Sequence, residues 1–158
     1  MTSQSAMLSN APSGIVLGNE QNMYVTMRID SQLFGVSVKY VRDVLRSQKI
    51  TPIPLSKQEV AGSLNLRGRI VTVIDVRKRL RLATECKSDK PMFVVVEHKG
   101  DLYSLMVDSV GEVLTVSAGS IERSPAHLGG SWKEVATGIH KLSGELLVII
   151  DIHTLLAL

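Results

Sequence analysis

Four histidines, one cysteine and a recurring aspartate are the side chains of this 158-residue chain most able to do chemistry. A nucleophile needs a base within hydrogen-bond reach, and a metal needs His, Cys or carboxylate ligands at convergent spacing. His98, His127, His140 and His153 have no His, Cys or acid at such a spacing. They are expected to be surface or partly packed imidazoles. Cys86 lies without a neighbouring His, and a lone cysteine excludes both an internal disulfide and a cysteine-rich zinc site. Asp75 and Asp151 each close a similar apolar run, so they are expected to share one structural role, capping the helical turn that follows, rather than to form a catalytic pair. "SGELL" and "LGGSW" are too short for a phosphate loop, and no GxxxxGK[ST] occurs. No catalytic residue, cofactor or metal is predicted. What remains is Arg67. "NLRGRIVTVID" at 65–75 and "KLSGELLVIID" at 141–151 share the glycine, the apolar run and the aspartate, but the second has Ser143 where the first has the arginine. Duplication keeps in both copies what the backbone needs and lets recognition residues diverge. Gly68 and Gly144 therefore read as backbone positions, and Arg67 as a recognition residue.

The repeat extends well beyond these two stretches. Residues 24–45 align with 93–114 at an offset of 69, pairing Leu33 with Leu102, Val41 with Val110 and Val44 with Val113. Residues 62–82 align with 138–158 at an offset of 76, pairing Gly62 with Gly138, Leu66 with Leu142 and Asp75 with Asp151. Internal repetition on this scale implies two similar units. The expected division is a flexible tail at 1–21, a first subdomain at 22–82, a linker at 83–90 and a second subdomain at 91–158. "YVTMRIDSQLFGVSV" and "MFVVVEHKGDLYSLMV" read as hairpins, the second turning at Lys99-Gly100. "VKYVRDVL" shifts its apolar period toward a two-turn helix or a bent strand. Ser56 and Glu59 have the spacing of a capping box, which predicts a short helix. "RIVTVID" is apolar on both faces, so it is expected to be covered on both sides. Each half alone has a small core, and the halves are expected to bury a shared surface.

Bulk properties exclude several classes. Apolar content is 44%, charged content 21%, and the net charge is +3 with a pI near 9.1. That is too weakly basic to imply nucleic acid on its own. The "RKRLRL" segment, 77–82, reads as a solvated helix face, since aromatics are only 4% and no stacking motif accompanies it. Trp132 is expected to pin its loop to the second subdomain. No apolar run reaches the roughly 18 residues of a spanning helix, and the N-terminus lacks the pattern of a signal peptide. A cytoplasmic protein is expected.

"FGVSVKYVRDVL…ITPIPLSKQEVAGSLNLRGRIVTVIDVRKRL" and "YSLMVDSVGEVLTV…VATGIHKLSGELLVIIDIHTLL" resemble the CheW family of bacterial chemotaxis coupling proteins, over about 22–158. The resemblance implies an all-β fold of two packed five-stranded SH3-like β-barrels. It implies a non-enzymatic adaptor linking the cytoplasmic hairpin tip of chemoreceptors to the regulatory domain of the histidine kinase CheA, monomeric alone and ring-forming with the kinase. Such an adaptor is recruited to membrane-attached receptor arrays without inserting in the membrane. Carried over by position, receptor contact falls to Val41, Asp43, Gly62, Arg67, Val110 and Val113. Family members commonly have glutamate at Asp43 and proline at Thr72, so this chain has a shorter carboxylate and an extra backbone donor there. Two other classes compete: a regulatory fragment of a larger kinase, and a basic β-barrel that binds nucleic acid.

Overall fold

A computed structural model describes residues 21–46, 48–82, 90–123 and 130–157. The sequence copies become matching strand sets. The first contains β1 (Gln21–Ile29), β2 (Gln32–Ser37), β3 (Val41–Leu45), β4 (Val60–Leu66) and β5 (Arg69–Asp75), followed by the one-turn helix α1 (Val76–Arg79). The second contains β6 (Met92–His98), β7 (Asp101–Val107) and β8 (Ser109–Ser117). The six-residue helix α2 (Gly130–Val135) then precedes β9 (Ala136–Leu142), β10 (Glu145–Ile150) and the one-turn helix α3 (Ile152–Leu155). The hairpin turns sit where Asx and glycine chemistry places them: Asp30, Lys99 and Gly100 take φ of 55°, 52° and 84°. The strand β1 begins at Gln21, one residue inside the expected tail; the rest of that tail, Cys86, His127 and most of the expected linker lie outside the described residues.

The strands do not assemble copy by copy. One sheet has the order β8-β1-β2-β10-β9 and the other β3-β6-β7-β5-β4. Each copy therefore lends its first hairpin to the other copy's remaining strands, and the sheets cut across the expected division at 22–82 and 91–158. The physical cause is two parallel pairings, β2 on β10 and β5 on β7, which each hairpin makes across the repeat boundary. Both sheets close by the same device. The chain leaving β3 crosses back so that Thr51 bridges Ser63 of β4, with both N–H···O bonds at 2.8 Å. The chain leaving β8 does likewise, Glu122 bridging Ile139 of β9 at 2.8 Å. The result is two five-stranded barrels with their edges covered.

Among the described residues, three apolar clusters fill this frame. Leu33, Val116, Leu147 and Ile149 lie inside the first barrel; Leu64, Val71, Val73 and Phe93 inside the second. The largest cluster lies between the barrels and draws on both, with Met27, Phe34 and Val148 from one, Ile74, Val94 and Leu105 from the other, and α1, α2 and α3 around it. This is the shared surface expected from two small cores. It also explains the two-sided apolar runs: along β10, Leu147 and Ile149 face a barrel interior while Val148 and Ile150 face the seam. Trp132 on α2 packs against Phe34 of the first copy, the rings tilted by 51° and 5.3 Å between centres, so it pins its segment to the shared central core rather than to the second subdomain alone. Asp75 and Asp151 cap α1 and α3 as expected, accepting from the backbone N–H of Lys78 at 3.2 Å and of His153 at 3.0 Å.

Two local expectations differ, and a third, at 38–45, resolves to the bent strand rather than the helix. Residues 38–45 are a single 3-10 turn, Val38–Tyr40, and then strand β3, which pairs with β6 and bulges at Arg42. Val38 and Val41 reach the central core, Leu45 reaches a barrel interior, and Val44 is exposed, so they do not form one helical stripe. No helix forms at 56–59. There the Ser56 hydroxyl donates back to the Ile53 carbonyl at 2.8 Å, and the Glu59 carbonyl accepts from Asp75 N–H at 2.8 Å. The "RKRLRL" segment is not a solvated face. Arg77 is 5% exposed and bonds Asp30 and Asp108, and Arg79 donates to the carbonyls of Thr154 and Leu155 at the end of α3.

Candidate functional site

The turn that carries Arg67 joins β4 to β5. Arg67 has φ 51° and Gly68 φ 85°, the two left-handed residues of a type I′ hairpin, and the Asn65 side chain accepts from Gly68 N–H at 2.9 Å. In the second copy Gly144 keeps its positive φ of 83°, and Ser143 is not among the left-handed residues. Arginine in the left-handed region is a local cost that serine does not bear. The shared glycine is thus backbone, as expected, and the arginine is an addition to it.

Asp43 on β3 sits opposite. Its Oδ2 accepts from Arg67 Nη2 at 3.2 Å, and its Oδ1 accepts from Val44 N–H at 2.8 Å. The bulge at Arg42 breaks the alternation of β3 just before Asp43, which is how a strand re-aims a side chain. The pair is asymmetric: the Asp43 side chain is 25% exposed and that of Arg67 is 78% exposed. One Nη2 donor is held while the rest of the guanidinium faces solvent. As an exposed pair it adds little to stability, about 0–1 kcal/mol. Its effect is to orient a cation whose remaining donors match a carboxylate. The two residues line a cleft of about 260 Å³ with Arg42, Leu66, Arg69, Glu97 and Leu102. Arg42 is itself tied to Glu97 at 3.1 Å.

The repeat places an equivalent cleft, about 310 Å³, on the other barrel, where Leu33, Glu112, Leu142 and Glu145 take the positions of Leu102, Asp43, Leu66 and Arg69. Arg28 takes the place of Glu97 and pairs with Glu145 at 3.0 Å. The apolar residues and the carboxylate of Asp43 (as Glu112) are kept, and the other charges are reversed or removed. The first cleft is rich in arginine; the second holds two glutamates and one arginine.

Of the six residues carried over by position, the fold brings Asp43 and Arg67 into contact. Val41 lies two residues before Asp43 on β3, half-buried against the central core. Val110 and Val113 are on β8 of the other sheet; Val110 lines the second cleft and Val113 is 50% exposed. Gly62 is buried at a bulge of β4 with φ 150°, and a Cβ there would lie 2.4 Å from the Thr51 carbonyl oxygen. It permits the bridge that closes the barrel. Leu66, Arg69, Glu97 and Leu102 line the cleft but escaped sequence reasoning, because they come from four strands, β4 to β7, drawn from both copies. The clue available was Arg69, flanking Gly68 on the side opposite Arg67.

Residues 23–158 match the model of the CheW-like domain. The chain is 28% identical over 145 residues to chemotaxis protein CheW of Treponema pallidum, covering 89% of this chain and 85% of that protein. It is 28% identical over 132 residues to chemotaxis protein CheW of Bacillus subtilis, covering 84% of this chain and 85% of that one. The crystal structure of the scaffolding protein TtCheW from Thermoanaerobacter tengcongensis superposes with a TM-score of 0.80 at 30% identity, over 88% of this chain and 94% of that chain. Two exchanged five-stranded barrels, a shared core and sequence agreement across nearly every described strand lead to one conclusion: the chain belongs to the CheW-like family.

Proposed function

We propose that this CheW-like protein is a non-enzymatic adaptor that couples the cytoplasmic hairpin tip of chemoreceptors to the regulatory domain of the histidine kinase CheA, recruited from the cytoplasm to receptor arrays. The observation that carries this reading is the exposed guanidinium of Arg67, oriented by Asp43 at the mouth of a cleft, in only one of two equivalent places. A receptor tip is a helical hairpin, and a helix docks on apolar floor with a few charged pins. Val41, Val110 and Val113 supply apolar surface; Arg67 pairs a receptor carboxylate in a two-pronged geometry that lysine and serine do not reproduce. One hairpin needs one such pin. Gly62 contributes through the barrel closure that fixes β4. Kinase contact falls to apolar barrel surface, where the fully exposed Leu55 and the 70%-exposed Ile70 stand.

The nucleic-acid reading loses its basis, because two of the arginines that suggested it, Arg77 and Arg79, are consumed inside the protein. The test is a binding assay with two baits, a receptor cytoplasmic fragment and a kinase regulatory domain. Arg67→Ala is expected to weaken receptor binding at least about tenfold, roughly 1.4 kcal/mol, with kinase binding unchanged. Arg67→Lys is expected to restore little of it. Receptor binding equal to wild type in Arg67→Ala would sink the assignment.

A further inference from the structure

The exchange of hairpins creates two equivalent seams between the barrels, and they are built from opposite chemistry. At the first, Arg77 of α1 bonds Asp30 in the β1–β2 turn and Asp108 between β7 and β8. At the second, the repeat puts His153 where Arg77 stood, Lys99 where Asp30 stood and Lys39 where Asp108 stood. No ion pair can form from that set. Instead the His153 ring of α3 packs on His98 at the end of β6, 4.8 Å between ring centres, and edge-on against Tyr40 at 5.8 Å. Tyr40 hydroxyl and His153 Nε2 are 3.5 Å apart, and Tyr103 of β7 flanks His98 at 6.3 Å.

We infer that the tilted His98–His153 ring pair is a pH-sensitive latch, which holds α3 to the β6–β7 hairpin while His98 is neutral and releases it when His98 takes up a proton. Two observations carry this beyond proximity. His98 Nδ1 is buried and has no hydrogen-bond partner, so an imidazolium there would bury an N–H with no acceptor. Cations also adjoin the pair: Lys39 lies over the Tyr40 ring at 5.1 Å, and Lys99 follows His98. Asp101 and Asp151 face His98 and act the other way, but Asp151 is engaged as the cap of α3. On balance, burial first and then His153 and Lys99 hold His98 below its ordinary value. The unfolded chain therefore binds its proton more readily than the folded one. The latch is fully closed above the ordinary histidine range near 6.5 and opens as pH falls through it. The Arg77 clamp contains no imidazole, so acid in the histidine range loosens one seam and spares the other.

Hydrogen exchange on the full chain tests this at about pH 7.5 and pH 5.5, corrected for intrinsic rates, comparing amides of α3 with those of α1. In wild type, protection of Leu155 and Leu156 is expected to fall about tenfold further than that of Leu80, the change one linked proton gives per pH unit. His98→Ile copies the residue at the equivalent position, Ile29, and is expected to abolish the difference. Parallel changes at the two helices in wild type overturn the latch without any variant. So does a difference that persists in His98→Ile.

Discussion

Arg77→Met is the sharpest perturbation of this fold, because it keeps the unbranched apolar stem and deletes the charged guanidinium together with its hydrogen bonds. The guanidinium is 6% exposed and donates to Asp30 Oδ1 at 2.5 Å and Asp108 Oδ2 at 2.6 Å; Asp108 Oδ2 also accepts from Asp30 N–H at 2.8 Å. Burial works against the cation, and the hydrogen bonds from Asp108 and Asp30 outweigh it, so Arg77 stays charged well above any accessible pH. Removing it leaves two carboxylates facing each other. Breaking a buried pair costs about 3–5 kcal/mol. These carboxylates are 34% and 19% exposed and can partly rehydrate, which places the loss nearer about 2–3 kcal/mol. In a chain of this size that is a fall in Tm of about 4–12 °C. Urea unfolding would show a lower midpoint at unchanged slope. Arg28→Met is the control: its pair with Glu145 has both side chains 39% exposed and is worth at most about 1 kcal/mol. Arg77→Lys should fall between, keeping the charge but not the fork. If Arg77→Met costs no more than Arg28→Met, the argument that Arg77 ties the first seam is wrong.

The other predictions follow from the same repeat. Gly62→Ala and Gly138→Ala should each destabilise by about 1–3 kcal/mol in thermal melts, since the added methyl meets Thr51 O at 2.4 Å or Glu122 O at 2.8 Å. Asp75→Ala and Asp151→Ala should each cost about 1 kcal/mol by loss of a helix cap, with no change in partner binding beyond that. Separately expressed pieces 22–82 and 91–158 should lose most β-signal in circular dichroism alone and regain it on mixing, because both sheets take strands from both pieces. Independent folding of either piece, with native stability, would refute that.

Much of this was legible in residue order, and the exceptions share a cause. Hairpin turns, capping aspartates and two-sided strands depend on neighbours within about ten positions, and the repeat let each be read twice. What escaped depends on which copy a segment meets. Arg77 in "RKRLRL" has the local pattern of a solvated cation; it is buried because Asp30 and Asp108 arrive from strand connections 47 and 31 positions away. His98 and His153 have no ligand-like spacing, yet they touch because the hairpin ending in His98 is handed across to the barrel opposite α3. The cleft shows the same limit: Arg67 stood out by comparison of copies, whereas Glu97 and Leu102 join it only through the exchange. A duplication that swaps its hairpins makes the two copies solve the same packing problem twice, with freedom to choose different chemistry at each seam and each cleft. Identity between the copies then marks what the backbone requires, at Gly62 and Gly138 or Asp75 and Asp151. Difference marks where the two halves took on separate tasks, an arginine pin against a serine, an ion-paired clamp against a titratable stack.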